Sequence, residues 1–278
     1  MKRNRESADG PCTLLRRYQG ETGKLSSRNT GSKPKQRVKI SVIIPAFNEE
    51  RLLGETLRHV RTASAAFTAR GWTSEVIVCD NNSTDRTADI AREHNATVVF
   101  EPVNQIARAR NRGAEAATGD WFIFVDADSQ PSAALFAEVA GQIQGGRCLA
   151  GGSTIRLVGL HRFASRVAEL WNWLSRWRLL LAGSFVFVEA AVFRKVGGFS
   201  NELFAGEELD LSERLREFAR QDGRQLVILH RHPLVTSARK AQLYKTREHL
   251  KFLVRAAFNH HATLRSREAC HTWYDGRR

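Results

Sequence analysis

Three times in its first half the chain runs a short apolar, strand-like string straight into an acidic loop. Ile40-Ser41-Val42-Ile43-Ile44 leads to Pro45-Ala46-Phe47-Asn48-Glu49-Glu50 and then to a helical pattern from Leu52. Val76-Ile77-Val78-Cys79 leads to Asp80-Asn81-Asn82-Ser83-Thr84-Asp85 and a second helix, with Thr84 or Ser83 as its N-cap. Trp121 to Val125 leads to Asp126-Ala127-Asp128. Repeated strand, loop and helix predict an open α/β sheet. In such a sheet, ligands bind outside the carboxyl ends of the strands, where these loops converge. Strands are expected near 40–44, 75–79, 97–100, 121–125, 148–155, 183–188 and 225–229, with helices in the gaps and the 183–188 strand antiparallel.

Asp126-Ala127-Asp128 taken alone reads as a solvated turn. As a continuation of the strand, it would project both carboxylates to one side, toward one divalent cation or one anionic ligand. Gln105 to Gly113 predicts the start of a third helix, whose Arg108, Arg110 and Arg112 are candidates to meet a diphosphate. Gly197-Gly198-Phe199 ends an apolar stretch. Gly206-Glu207-Glu208-Leu209-Asp210-Leu211 then opens a helix whose apolar side includes Leu211, Leu215 and Phe218. Glu207, Glu208 and Asp210 are candidates for a general base, and equally for favourable contact with a helix N-terminus. His230 and His232, expected at a strand end, are further candidates for a metal site, with surface imidazoles as the alternative.

These residues resemble the family-2 inverting glycosyltransferases of the GT-A fold, on five ordered motifs between Val38 and Leu234. They are PAFNEE at 45–50, DNNSTD at 80–85, ARNRG at 109–113, DAD at 126–128, and GGF at 197–199 with GEELDL at 206–211. The resemblance implies a Rossmann-like, mostly parallel central sheet flanked by helices. It also implies a nucleotide-diphosphate sugar donor, Mg²⁺ or Mn²⁺, and a single in-line displacement at an acceptor hydroxyl. Carried over by position, Pro45, Ala46, Asn48 and Glu49 line the nucleoside pocket, Asp80 accepts from the base, and Asn82, Arg108, Arg110 and Ala127 complete the donor set. Asp128 ligates the metal, with Asp126 at the metal or the ribose. Glu208 stands where the family carries its base, usually an aspartate, with Asp210 as its neighbour and Glu207 paired to a cation or capping. Asn81 and Asn82 replace a more usual Asp and Gly, and Asn tolerates the positive φ the turn needs. Gln105 stands where some members place a base-contacting arginine.

The 278 residues and 42% hydrophobic content suit one large domain at 38–235, with appendages. The net charge of +14 is concentrated at the ends: residues 1–39 carry 11 basic and 3 acidic groups, and residues 220–278 carry 13 and 4. A disordered basic tail is expected over 1–37 and a basic helical extension over 236–278. The excess lies away from the acidic loops, so no specific nucleic acid is expected. Cysteines 12, 79, 148 and 270 form no close pair, which fits reduced thiols in a cytoplasm. No stretch reaches the roughly 18–20 apolar residues of a membrane span. Val167 to Phe193 comes nearest. There Leu170, Trp173, Leu174 and Trp177 share a helical stripe that reads as core or, with its arginines, as a surface for an anionic membrane and a lipid-linked acceptor. Two other functions remain to be weighed. A nucleotidyltransferase would want a glycine-rich phosphate loop that PAFNEE lacks. A non-catalytic module binding nucleic acid or anionic lipid rests on the basic ends alone.

Overall fold

The sheet is built in the order β3-β2-β1-β4-β7-β6-β8-β5. Its strands are β1 (Lys39–Ala46), β2 (Thr73–Asp80), β3 (Thr97–Phe100), β4 (Trp121–Val125), β5 (Ser129–Gln130), β6 (Cys148–Val158), β7 (Phe185–Glu189) and β8 (Gln225–Ser237). The helices are α1 (Leu53–Thr68), α2 (Thr87–Glu93), α3 (Ile106–Ala116), α4 (Ala133–Gly145), α5 (Arg162–Arg178), α6 (Ala190–Lys195) and α7 (Glu207–Asp222). This computed structural model describes residues 37–158 and 162–237, with 264–266, 268 and 270, the side chains of 162–168 excepted. The expected basic tail, all but Arg37, and the helical pattern around residues 243–257 lie outside the described residues.

Strands β3, β2, β1 and β4 are parallel, which is why β1 and β4 read as near-continuous apolar runs: both of their faces are covered. On one face α1 lays down Leu53, Leu57, Val60 and Phe67, all buried, and Phe67 stacks on Phe136 of α4 at 5.1 Å between centroids. Fully burying a side chain of this size contributes about 1.5–3 kcal/mol. On the other face Phe122 and Phe124 of β4 pack with Phe193, Phe199, Leu211 and Leu215. The two clusters make a helix-sheet-helix sandwich. The described cysteines, 79, 148 and 270, are buried.

β7 is antiparallel to both β4 and β6, as expected for the late strand. Because β7 starts where β4 stops, with Val125 opposite Phe185, the residues leading into β7 sit at the carboxyl end of the parallel strands beside Asp126. β8 runs parallel to β6 and then pairs antiparallel with β5, placing Thr236 opposite Ser129. β8 continues through His230 and His232 to Ser237 rather than stopping at 229. α5 decides between the two readings of its stripe: Leu170, Trp173 and Trp177 are 63%, 59% and 65% exposed, so these side chains are not core.

Candidate active site

The first two acidic loops are tied together by their own side chains. Asn48, at φ 53, receives a hydrogen bond from the Thr84 amide at 2.8 Å, and its own amide donates to Ser83 Oγ at 3.0 Å. The Glu49 amide donates to Thr87 Oγ1 at 2.8 Å, and the Arg86 amide donates to Glu50 at 3.2 Å. Ser83 and Thr84 therefore bind the neighbouring loop instead of capping α2, whose N-cap is Arg86 with no side-chain bond. Asp80 accepts from the Ser83 amide at 3.0 Å, closing a turn in which Asn82 takes φ 67, the conformation foreseen for it. Pro45 and Ala46 end β1, and the Ala46 carbonyl receives the Asn81 amide at 2.8 Å.

Asn81 does more than replace an aspartate. Its buried amide donates to the carbonyls of Glu101 and Val103 and accepts from the Gln105 amide at 2.9 Å. An aspartate has no N–H to make the first two bonds. Gln105 carries the chain of contacts onward, donating to the carbonyls of Asn201 and Leu203 at 2.9 and 2.8 Å. Asn111 holds the same loop through Phe199, donating to its carbonyl and accepting from its amide. Sequence reasoning gave Asn111 no role, although it lies inside the ARNRG motif.

The arginines of α3 part company, because residues two apart on a helix differ by about 200° in direction. Arg112 pairs with Glu115 on the surface, and Arg108 bonds the Gln105 side chain at 3.0 Å. Arg110 alone turns inward. Only 1% exposed, it donates to Glu207 at 2.6 Å, to Asp126 at 3.0 Å and to the Gly183 carbonyl at 2.7 Å, and its guanidinium lies 5.1 Å from the Phe199 ring centroid. A Cβ on Gly183 would stand 3.2 Å from Arg110 and 3.4 Å from Glu208, so Gly183 packs tightly against the Arg110 guanidinium.

Asp126-Ala127-Asp128 is a turn, closed by the Ser129 amide on the Asp126 carbonyl at 3.1 Å, and not a continuation of the strand. The two carboxylates consequently diverge. Asp126 turns to Arg110, and Asp128 turns to β8, where Thr236 Oγ1 donates to it at 3.3 Å. The Ala127 carbonyl accepts from Thr56 at 2.8 Å. Asp128 borders a cavity of about 190 Å³ with Glu55, Gln130, Thr236 and Ser237 in its wall. His230 and His232 are exposed within β8, and among the described residues no three His, Cys, Asp or Glu side chains gather as a metal cage. A larger cavity, about 520 Å³, lies at the other end of the strands against Trp121 and Thr118. Its Arg224 is committed to Glu189 and Asp222, and none of the acidic loops reaches it.

α7 begins at Gly206, which adopts φ 76 as N-cap, and its first turn separates the three acids. Glu207 is buried against Arg110. Asp210 faces Arg214 in a half-exposed pair at 2.5 Å. Glu208 sits between them, partly buried, and makes no ion pair with any described residue. Burial, reinforced by the Glu207 carboxylate, pushes its carboxyl up to about 8 from an ordinary 4.5, against the opposing pull of Arg110. Ser212 Oγ fixes this turn, donating to the Glu208 carbonyl at 2.6 Å and accepting from the Leu181 amide at 3.0 Å.

A crevice of acidic loops at the carboxyl ends of a parallel sheet matches what the comparisons with known proteins give. The chain belongs to the family-2 glycosyltransferases: the family model described as Glycosyl transferase family 2 matches residues 41–182. The chain is 31% identical over 147 residues to an uncharacterized glycosyltransferase of Mycobacterium tuberculosis, a match covering 50% of this chain and 59% of that protein. Over 124 residues it is 32% identical to a dolichol-phosphate mannosyltransferase of Pyrococcus furiosus, covering 42% of this chain and 33% of that one. The matches thus span less than two thirds of these relatives. Among solved structures, it superposes on a mannosyltransferase of Pyrobaculum calidifontis in complex with GDP-Man and Mn²⁺, with TM-score 0.62 and 20% identity over 84% of this chain and 65% of that one. A glucosyl-3-phosphoglycerate synthase of Mycobacterium tuberculosis, with Mn²⁺, UDP and phosphoglyceric acid, gives TM-score 0.55 and 21% identity over 84% and 78%. These likenesses establish the GT-A fold. The family assignment does not fit the nucleotidyltransferase alternative.

Proposed function

We propose that the protein transfers a sugar from a nucleotide-diphosphate sugar to an acceptor hydroxyl with inversion, and that Glu208 is the general base. The observation that carries this reading is the separation of roles among the acids. Glu207 and Asp210 each pair with an arginine, whereas Glu208 makes no ion pair among the described residues and holds its proton more tightly than an ordinary carboxyl. A carboxylate whose affinity for a proton lies near neutrality is suited to taking one from an attacking hydroxyl, which contributes roughly 10² to 10⁴-fold in rate.

Pro45, Ala46, Asn48, Glu49, Asp80 and Asn82 would form the nucleoside side, because the interlocked β1 and β2 loops present them together at the strand ends. The donor set is compatible with Mg²⁺ or Mn²⁺. Such a cation is commonly held by one or two carboxylates, with substrate phosphates completing its shell, so a full protein cage is not required. Asp128 beside its cavity would be the protein ligand. Asp126 would join it only by giving up or sharing Arg110. Bound there, the cation would stabilise charge on the leaving diphosphate as a Lewis acid. Arg110 holds Asp126 and Glu207 at fixed positions on either side of Gly183, a preorganising role in place of the direct diphosphate contact expected for it.

A screen of uridine, guanosine and thymidine diphosphate sugars with Mn²⁺, scoring donor hydrolysis and heat of binding, tests the reading. Metal-dependent binding and turnover of at least one donor is expected. Absence of both across the panel would overturn it.

A further inference from the structure

α5 presents an apolar face to solvent, and the way it is anchored shows that this face is not a packing accident. Asn172 grips the β6 backbone at Ile155, donating to its carbonyl at 2.8 Å and accepting from its amide at 2.9 Å. Ser175 donates to the Leu180 carbonyl at 2.6 Å. Those bonds turn the polar side of α5 inward. Leu170, Trp173 and Trp177, at i, i+3 and i+7, point the other way, more than half exposed. The two indoles stack at 5.8 Å with their planes 18° apart. Arginines crowd the C-terminal end of the same stripe: Arg178 lies over Trp177 at 5.0 Å, Arg176 is exposed, and Arg216 donates to the Arg178 carbonyl at 3.0 Å. Glu169 is the acidic side chain at the other end.

We propose that this face of α5 docks onto an anionic lipid bilayer. Water-exposed indoles and leucine gain by entering the headgroup and acyl boundary, and guanidinium groups beside them gain from anionic phosphates. A protein partner would need a matching hollow, whereas a bilayer accepts a convex ridge of stacked indoles flanked by cations. No helix among the described residues is long and apolar enough to cross a membrane, so the contact is interfacial.

The placement has a consequence for the acceptor, and this part rests on the sugar-transfer reading. α5 leads through Leu181, whose amide donates to Ser212, to Gly183, next to Glu208. A helix lying on a bilayer would hold the acceptor side of the cleft near the headgroups. The acceptor class this favours is a hydroxyl on a membrane lipid.

The test is flotation of the full-length protein with vesicles of phosphatidylcholine alone and of phosphatidylcholine with about one third phosphatidylglycerol, read alongside tryptophan emission. Binding to the anionic vesicles, a blue shift, and weakening by salt are expected. The double substitution Trp173→Ala, Trp177→Ala removes exposed rings whose ring contacts are with each other and Arg178. It should lower partitioning at least about tenfold and abolish the shift. Arg176→Gln and Arg178→Gln should each lower it about fivefold. Unchanged binding by the indole variant would overturn the proposal, since the basic ends would then suffice. So would equal binding to neutral vesicles, or an indole-dependent change in oligomeric state without vesicles, which would mark a protein interface. Because flotation does not depend on turnover, inactivity toward every donor would leave the docking result intact. Docking without stimulation by any lipid acceptor would overturn only the assignment of the acceptor.

Discussion

The two sides of the crevice are stabilised by different physics. On the β1 and β2 side, Asn48, Ser83, Thr84 and Asn81 cross-link the loops by hydrogen bonds that are mostly neutral. On the α7 side, a buried guanidinium, Arg110, is clamped by two carboxylates, and a third, Glu208, makes no ion pair among the described residues. The first arrangement fixes shape and is nearly indifferent to pH. The second concentrates electrostatic tension at one carboxyl, as suits a group that must exchange a proton during turnover.

The contrast is broken most severely by removing the carboxylate proposed to hold the metal. Asp128→Asn should lower turnover by at least about 10³-fold and abolish metal-dependent donor binding, with folding preserved. Full activity in metal-buffered assays would exclude Asp128 as a ligand. Next comes Glu208→Gln, for which turnover should fall roughly 10² to 10⁴-fold with donor affinity nearly intact, because proton removal matters only in the transition state. Glu207→Gln should cost less. A loss at Glu207 equal to or larger than that at Glu208 would move the base role one residue back.

Stability distinguishes the same acids. Arg110→Met leaves Glu207 buried without its cation and should cost about 3–5 kcal/mol in urea unfolding, whereas Arg110→Met with Glu207→Leu should recover most of it. Asp210→Asn breaks a half-exposed pair and should cost less than about 1 kcal/mol. If Arg110→Met were as mild as Asp210→Asn, the clamp would not be the anchor described. The folded chain keeps the Glu208 proton up to about 8, whereas an unfolded chain releases it near 4.5. Stability from this group is therefore full below 4.5 and declines as pH rises through that window.

Much of this was legible in the sequence for physical reasons. Apolar strings buried on both faces mark β1, β2 and β4, and the acidic loops fall where the parallel sheet puts its crevice. Asn82 has its positive φ because the turn demands it. What stayed hidden depended on partners distant in the chain. The divergence of Asp126 and Asp128 follows from the antiparallel entry of β7 and the return of β8, neither of which a tripeptide can announce. Arg110 was indistinguishable from Arg108 and Arg112 until α3 acquired an inside and an outside. The stripe on α5 carries the apolar spacing of a core helix, and only the grip of Asn172 and Ser175 on the opposite side turns it outward. Gly183 and Thr236 had no motif to mark them.

The central claim is that Glu208 is a carboxyl of raised proton affinity that must be ionised to act. The most direct test is the pH profile of kcat/KM, which reports groups on the free enzyme, measured from pH 5.5 to 9.5 for the natural chain and for Glu208→Gln. A rising limb with its midpoint near 8, absent from the residual activity of Glu208→Gln, is predicted. A flat profile over that range in the natural chain, or an identical limb surviving in Glu208→Gln, would contradict the account.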